Sequence, residues 1–139
     1  MYNKILIPID FAHEEQALVS INKANKLCGE GSDSKIILLH VVEEIPEYIQ
    51  SYLPDEFRID KVESAKKDLQ ALLTKSEADN ARIEVRKGRS YSCILESAED
   101  NMVDLIIVNS HKPGLEDYLL GSTAAKVVRH AKCAVLVDR

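Results

Sequence analysis

The amino-acid sequence predicts an α/β protein, a single domain built on a five-stranded parallel sheet with helices on both faces. Short apolar runs rich in β-branched residues alternate with segments of helical period along the chain. The length of 139 residues is that of one domain, and no repeat or low-complexity linker divides it. Alternation of this kind is typical of parallel sheets joined by right-handed crossovers, which place helices on both faces.

Five segments have the composition of strands. The first, second and fourth are almost wholly apolar, which is typical of strands buried on both faces. The third alternates apolar and charged residues (RIEVRK) and is expected to be half-exposed. The fifth (CAVLV) closes the chain. The predicted strands cover residues 4–9, 35–42, 82–87, 103–108 and 133–137.

Apolar residues at steps of three and four predict the intervening helices over residues 13–28 and 61–76. Ser90 is expected to cap a third, short helix, and Gly121-Ser122 to open the last one. Residues 43–60 hold two prolines and no clear period, so we expect a long loop or partly ordered flap there.

Two tyrosines, Tyr48 and Tyr52, lie in that loop. They could cover a ligand, but packing onto the domain is the favoured interpretation.

Charge and hydropathy exclude several classes of protein. Eighteen basic against 23 acidic residues give a net charge of −5, and no basic run exceeds Lys66-Lys67. Duplex nucleic acid is therefore not an expected partner, because its phosphates require clustered cations. The longest apolar run, Leu105 to Val108, is too short to cross a bilayer. No signal-peptide pattern is visible, so we expect a soluble, cytoplasmic protein.

The cysteines and histidines show no metal-binding pattern. Cys28, Cys93 and Cys133 are odd in number, form no CxxC pair and stand in apolar surroundings, which indicates reduced, buried thiols. The four histidines stand singly, without metal-ligand spacing, so no metal site is expected. His40 lies within an apolar strand and is interpreted as a core histidine.

The carboxyl ends of the strands are where a doubly wound sheet binds its ligand. Gly121-Ser122-Thr123 offers free amides, hydroxyls and the positive end of a helix dipole, which suit a phosphate. Asp10 follows the first strand and either accepts from a ribose hydroxyl or caps the first helix. Ser110 and His111 beside Asp10 suggest a hydrolase triad, but no GxSxG elbow surrounds the serine.

Several segments resemble the universal stress protein family. The resemblance rests on Pro-Ile-Asp after the first strand, Leu-Leu-His-Val in the second and the closing segment SHKPGLEDYLLGSTAAKVVRHAKCAVLVDR. It extends from Lys4 to Arg139 and implies one universal stress protein domain over residues 1–139. The implied fold is Rossmann-like, of the adenine nucleotide alpha hydrolase-like type.

Family members that bind ATP typically carry Gly, two residues, Gly, nine residues, and Gly with Ser or Thr. Gly121-Ser122 keeps the last pair, but Asn109 and Lys112 replace the first two glycines and the intervening loop is one residue shorter. This form is similar to the branch of UspF and UspG proteins, in which we expect nucleotide binding to persist. Asparagine tolerates left-handed backbone, and lysine brings a cation to the phosphates.

The resemblance implies binding of ATP, or of ADP or AMP, with or without Mg²⁺, in a regulatory stress-response protein. Two alternatives stay open: a dimeric interaction module that binds no nucleotide, and a slow ATP hydrolase. No catalytic residue is assigned. The implied nucleotide-binding residues are Pro8, Ile9, Asp10, Val41, Val108, Asn109, Ser110, His111, Lys112, Gly121, Ser122 and Thr123.

The last strand is expected to need a partner. At a sheet edge, Cys133–Val137 would expose unpaired backbone groups and apolar side chains. Family members commonly pair this strand across a two-fold axis, so the resemblance implies a homodimer, with a dimer of dimers as a further option.

Overall fold

A five-stranded parallel sheet forms the centre of the computed structural model, which describes residues 1–31, 33–44, 46–53, 60–110 and 120–139. The predicted fold class is confirmed. The strands lie within about two residues of their predicted bounds at each end, since their apolar composition follows from burial on both faces. They are β1 (Lys4–Pro8), β2 (Lys35–Val42), β3 (Ala81–Lys87), β4 (Leu105–Asn109) and β5 (Ala134–Asp138).

The strand order is β3-β2-β1-β4-β5, and every neighbouring pair is parallel. The chain therefore starts at the centre of the sheet, winds outward through β2 and β3, and then crosses to β4 and β5 on the other side. The direction of winding reverses between β1 and β4, which is where sheets of this type open a crevice for ligands. As predicted, β5 lies at an edge of the sheet.

Helices cover both faces of the sheet. A 3₁₀ turn (Phe11–His13) leads into the first helix, and the 43–60 segment contains a short helix. The helices are α1 (Glu14–Leu27), α2 (Glu47–Gln50), α3 (Lys61–Lys75), α4 (Ser90–Asp100) and α5 (Ser122–His130).

Two expectations about local structure are wrong. Ser90 is the first residue of α4 rather than its cap; Arg89 occupies the cap position, and the Ser90 hydroxyl lies 3.4 Å from Glu43 Oε1. Tyr48 and Tyr52 do not pack onto the domain, because they are 70% and 85% exposed.

The core consists of two layers separated by the sheet. Side chains alternate between the faces of a strand, so Ile5 and Ile7 of β1 pack on one side while Leu6 packs on the other. The first layer adds Ile21 and Ala24 of α1 with Leu69 and Leu72 of α3; the second adds Ile94 and Ala98 of α4 with Ala124 and Val127 of α5. Each crossover helix thus buries one apolar face.

All three cysteines are free thiols. Cys28 and Cys93 are buried as expected, but Cys133 is only partly buried because it precedes the edge strand. Burial raises the pKa of each thiol above its ordinary value. A raised pKa lowers the thiolate fraction, which makes these side chains poor nucleophiles.

A polar cluster fixes α4 against β3. The Glu84 carboxylate accepts hydrogen bonds from the buried Ser97 hydroxyl and, at 3.1 Å, from Arg86 Nε. Burial alone raises the pKa of Glu84, but the hydrogen bonds from Ser97 and Arg86 outweigh it and hold the pKa below its ordinary value. The cluster fixes the carboxyl-terminal half of α4 against β3.

Candidate functional site

A cavity of about 400 Å³ opens at the carboxyl ends of β1, β2 and β4. It lies over the point where the winding of the sheet reverses between β1 and β4. Its volume is within the usual range for small-molecule sites, which is roughly 300–1,000 Å³. The cavity is therefore the candidate site of ligand binding.

Ten of the twelve residues predicted from the sequence line this one cavity: Pro8, Ile9, Asp10, Val41, Val108, Asn109, Ser110, Gly121, Ser122 and Thr123. The other two, His111 and Lys112, lie outside the described residues, together with most of the loop that follows them. His111, the third member of the disfavoured hydrolase triad, is one of these two residues, whereas Ser110 and Asp10 both line the cavity.

The end of β1 places a carboxylate at the mouth of the cavity. The Ile9 amide donates to the Leu39 carbonyl at 2.7 Å and so continues the pairing of β1 with β2. Asp10 Oδ1 accepts from the Ala12 amide at 3.0 Å and caps the 3₁₀ turn. Asp10 is exposed, and its Oδ2 has no hydrogen bond to the described residues. The two interpretations of Asp10 are thus compatible: one oxygen caps the 3₁₀ turn, while the other has no partner among the described residues and can accept from a ligand.

His40 is held in place beside the site. Its Nδ1 lies 3.0 Å from the Ile9 carbonyl, and its ring centroid lies 4.5 Å from that of Phe11. A carbonyl only accepts, so Nδ1 carries a proton and donates it. The histidine is satisfied as predicted, but it is partly exposed and also lines the cavity.

The amino terminus of α5 supplies the positive end of the site. Gly121 is the N-cap and has no side chain to accept from the first amides of the helix. The first turn contains no acidic residue. The first backbone hydrogen bond of the helix is donated by the Ala125 amide to the Gly121 carbonyl at 2.9 Å. The amides of Ser122 and Thr123 thus have no hydrogen-bond acceptor among the described residues and are available to an anion.

The helix dipole is the main source of positive potential in the described part of the cavity wall, where no lysine or arginine side chain lies. Asp10 and Glu43 line the same cavity near β1 and β2. The side of the cavity with Asp10 and Glu43 therefore favours cations, whereas the side formed by the amino terminus of α5 favours anions. Among the described residues, no group of three or more His, Cys, Asp and Glu side chains is arranged to hold a metal ion.

Sequence reasoning missed several lining residues. Gln16 is the most informative, because its buried Oε1 has no hydrogen-bond partner among the described residues. Nothing in the local sequence marks Gln16, since its place on the cavity side of α1 depends on how that helix packs. The missed lining residues are His13, Gln16, Ala17, Leu39, Glu43, Ile94 and Ala124.

None of the helices in the described ranges has the length and apolar character that a bilayer crossing requires.

Known proteins with the same fold and sequence pattern are numerous. Universal stress protein G of Shigella flexneri is 31% identical over 144 residues, with full coverage of both chains. The universal stress protein MJ0577 of Methanocaldococcus jannaschii is 32% identical over 157 residues, which cover 99% of this chain and 94% of that protein. The solved structure of MJ0577 superposes with a TM-score of 0.76 over 99% of this chain and 95% of that one.

More distant solved structures contain nucleotides. A universal stress protein in complex with cAMP is 20% identical, with a TM-score of 0.65 over 99% of this chain and 96% of that one. The universal stress protein of Archaeoglobus fulgidus in complex with dAMP is 15% identical, with a TM-score of 0.65 over 99% and 98%. The profile of the universal stress protein family matches residues 1–139. With this match and relatives above 30% identity over the full length, the chain belongs to the universal stress protein family.

Proposed function

We propose that this chain is a regulatory stress-response protein of the cytoplasm that binds an adenine nucleotide, ATP or its products ADP and AMP, in the cavity. The observation that carries the proposal is the uncapped amino terminus of α5, which opens into the same cavity as the Asp10 carboxylate. A nucleotide requires both features, an anion seat for phosphate and an acceptor for the sugar hydroxyls.

The cavity offers a separate surface for each part of a nucleotide. Ile9, Val41 and Val108 supply apolar walls for the base. Asp10 Oδ2 accepts from ribose hydroxyls, and the first amides of α5 together with the Ser122 and Thr123 hydroxyls receive the phosphates. In the proposed complex, Lys112 and a Mg²⁺ ion neutralise the remaining phosphate charge.

The relatives support this proposal at the level of the fold. The cAMP and dAMP complexes contain adenine nucleotides in proteins of the same architecture. Their identities of 20% and 15% are too low to transfer individual contacts. The contacts proposed here therefore rest on the cavity of this chain.

Binding and regulation are proposed rather than efficient catalysis. Of the acidic side chains that line the cavity, Asp10 is engaged by the Ala12 amide and Glu43 lies near the Ser90 hydroxyl. Neither contact prepares a general base for an attacking water, so at most slow hydrolysis is expected.

The nucleotide content of the purified protein tests the proposal. Denaturing the protein and separating the supernatant by chromatography is expected to release an adenine nucleotide. In a thermal-shift titration, ATP at a hundred times its dissociation constant should stabilise the protein by about 2.7 kcal/mol. GTP at the same concentration should stabilise the protein less. If no nucleotide is released and neither ATP, ADP nor AMP shifts the transition, the interaction module is the better interpretation.

We also propose that the chain forms a homodimer through the Cys133–Val137 segment, with a tetramer built from two such dimers as a further option. Among the described residues, strand β5 pairs only with β4, and Val135, Leu136 and Val137 are partly exposed. An unpaired edge with apolar side chains favours pairing with a second copy across a two-fold axis.

Sedimentation at micromolar concentration tests the dimer. The chain, of 15.6 kDa, is expected to sediment at about twice its mass or a multiple of that. Val135→Lys should shift it toward monomer because each copy would place a charged side chain in the proposed apolar interface, whereas Met102→Lys, at a residue 76% exposed in a turn, should not. A monomeric wild-type protein would refute the proposed dimer.

A further inference from the structure

A buried polar network lies behind Asn109, one of the residues that line the cavity. The Ser20 hydroxyl, which is fully buried in α1, lies 3.0 Å from the end of the Asn109 side-chain amide that the structure assigns as Oδ1 and 3.0 Å from Asp138 Oδ2. Lys23 Nζ lies 2.6 Å from Asp138 Oδ1. Asn109 and Asp138 are direct neighbours in the β4–β5 ladder. The network therefore connects α1, β4 and β5 to the wall of the cavity.

The number of protons that Ser20 and Asp138 carry decides which group donates in each of these hydrogen bonds. Asp138 is 8% exposed and paired with Lys23, so its carboxylate only accepts. Ser20 has a single hydroxyl proton, and a charged acceptor binds it more strongly than a neutral amide oxygen does. The Ser20 proton therefore goes to Asp138. The Ser20 oxygen then becomes an acceptor toward Asn109.

An acceptor at Ser20 requires a donor on Asn109. The oxygen and nitrogen ends of an amide have the same shape, so the hydrogen-bond pattern decides which end faces Ser20. Two acceptors 3.0 Å apart would repel in this buried place, whereas an N–H donor completes a chain from Asn109 through Ser20 to Asp138. The hydrogen-bond pattern therefore favours exchanging the two ends of the amide as assigned, so that the nitrogen faces Ser20 and the carbonyl oxygen is left for a ligand.

We propose that Ser20 and Asp138 are positioning residues that hold the Asn109 amide with its carbonyl oxygen available to the bound nucleotide. The ligand part of this proposal rests on the proposed function. A carbonyl oxygen attracts an electropositive group and repels a bare phosphate oxygen. The group that meets Asn109 is therefore a sugar hydroxyl or a phosphate-bound divalent cation. Asn109 stands where the family's nucleotide-binding pattern has a glycine, which has no side chain for such a contact.

The orientation of the amide is testable without any ligand. In NMR spectra of the free protein, the Asn109 side-chain NH₂ signals are identified by their loss in Asn109→Gly. One of the two protons is expected to be protected from solvent exchange, and Ser20→Ala should remove that protection. Ser97→Ala is the matched control, because Ser97 is also fully buried and also donates to a carboxylate, but away from the cavity.

The orientation is wrong if both Asn109 protons exchange as fast as those of an exposed asparagine, or if the protection survives Ser20→Ala. The exchange experiment uses the free protein, so its outcome does not depend on whether a nucleotide binds. Failure of the proposed function and failure of the positioning network are thus distinguishable.

Calorimetric titrations then identify the group that meets Asn109. Ser20→Ala is expected to weaken binding about fivefold, the effect of one lost hydrogen bond, while Ser97→Ala leaves it unchanged. Weaker binding of adenosine as well as Mg–ATP indicates a sugar hydroxyl, and weaker binding of Mg–ATP alone indicates the cation. If Ser20→Ala weakens neither ligand relative to Ser97→Ala, the network does not orient a ligand contact. If the wild-type protein binds neither ligand, the proposed function fails, and the exchange experiment alone decides the network.

Discussion

Ser122→Asp is expected to weaken adenine-nucleotide binding at least about a hundredfold without destabilising the protein. The new carboxylate would lie at the amino terminus of α5, where backbone amides and hydroxyls form the helix end of the proposed phosphate site. Two like charges about 4 Å apart near a protein surface repel by about 4 kcal/mol, which corresponds to more than a hundredfold in affinity. The same carboxylate interacts favourably with the helix dipole, so the unfolding free energy should stay equal or rise slightly.

Two variants separate this effect from simpler causes. Ser122→Ala removes the hydroxyl without adding charge and should cost less than about tenfold in affinity. Ser64→Asp makes the same chemical change at an exposed site in the first turn of α3, away from the cavity, and should leave binding unchanged. Titration calorimetry with ATP measures all three variants. Wild-type affinity in Ser122→Asp would show that the phosphates lie elsewhere.

Leu6→Ala is expected to lower the free energy of unfolding by about 3 kcal/mol, within the range measured for buried leucines. Leu6 is fully buried in β1, the central strand, where it contacts the layer formed by α4 and α5. Sheet neighbours hold both sides of β1. The surrounding structure therefore has little freedom to fill the cavity that the substitution creates.

Urea denaturation at one fixed protein concentration measures this loss, since dimerisation would make stability depend on concentration. Val19→Ala is the control, because Val19 is 50% exposed on α1 and its truncation should change stability by less than about 0.5 kcal/mol. Similar losses in both variants would mean that the β1 layer is not the core of the molecule.

The fold was predictable because each strand has a short, local signature. Strand β2 occupies the predicted range 35–42, and α1 differs from its predicted range by one residue at each end. A strand covered by helices on both faces must be apolar over its whole length. Where that constraint was absent, prediction failed: the 43–60 segment has no period, and its short helix and exposed tyrosines were not foreseen.

Contacts between distant segments account for the errors around the site. Ser90 has the residue type of a helix cap, but its hydroxyl lies near Glu43, which is 47 positions earlier in the chain. Gln16 was missed because the helical period of α1 does not specify which of its residues faces the cavity. In both cases the position of the side chain depends on how the helices and strands pack, so the local sequence does not specify it.

The sequence by itself determined the α/β fold, the family and most of the cavity wall. It could do so because alternating elements build a parallel sheet whose strand ends converge at one edge. Only the tertiary structure decided how those residues are held. Ser20 lies 89 positions from Asn109 and 118 from Asp138, and no local pattern joins residues so far apart. Hydrogen bonds between them exist only because α1 packs across the neighbouring strands β4 and β5.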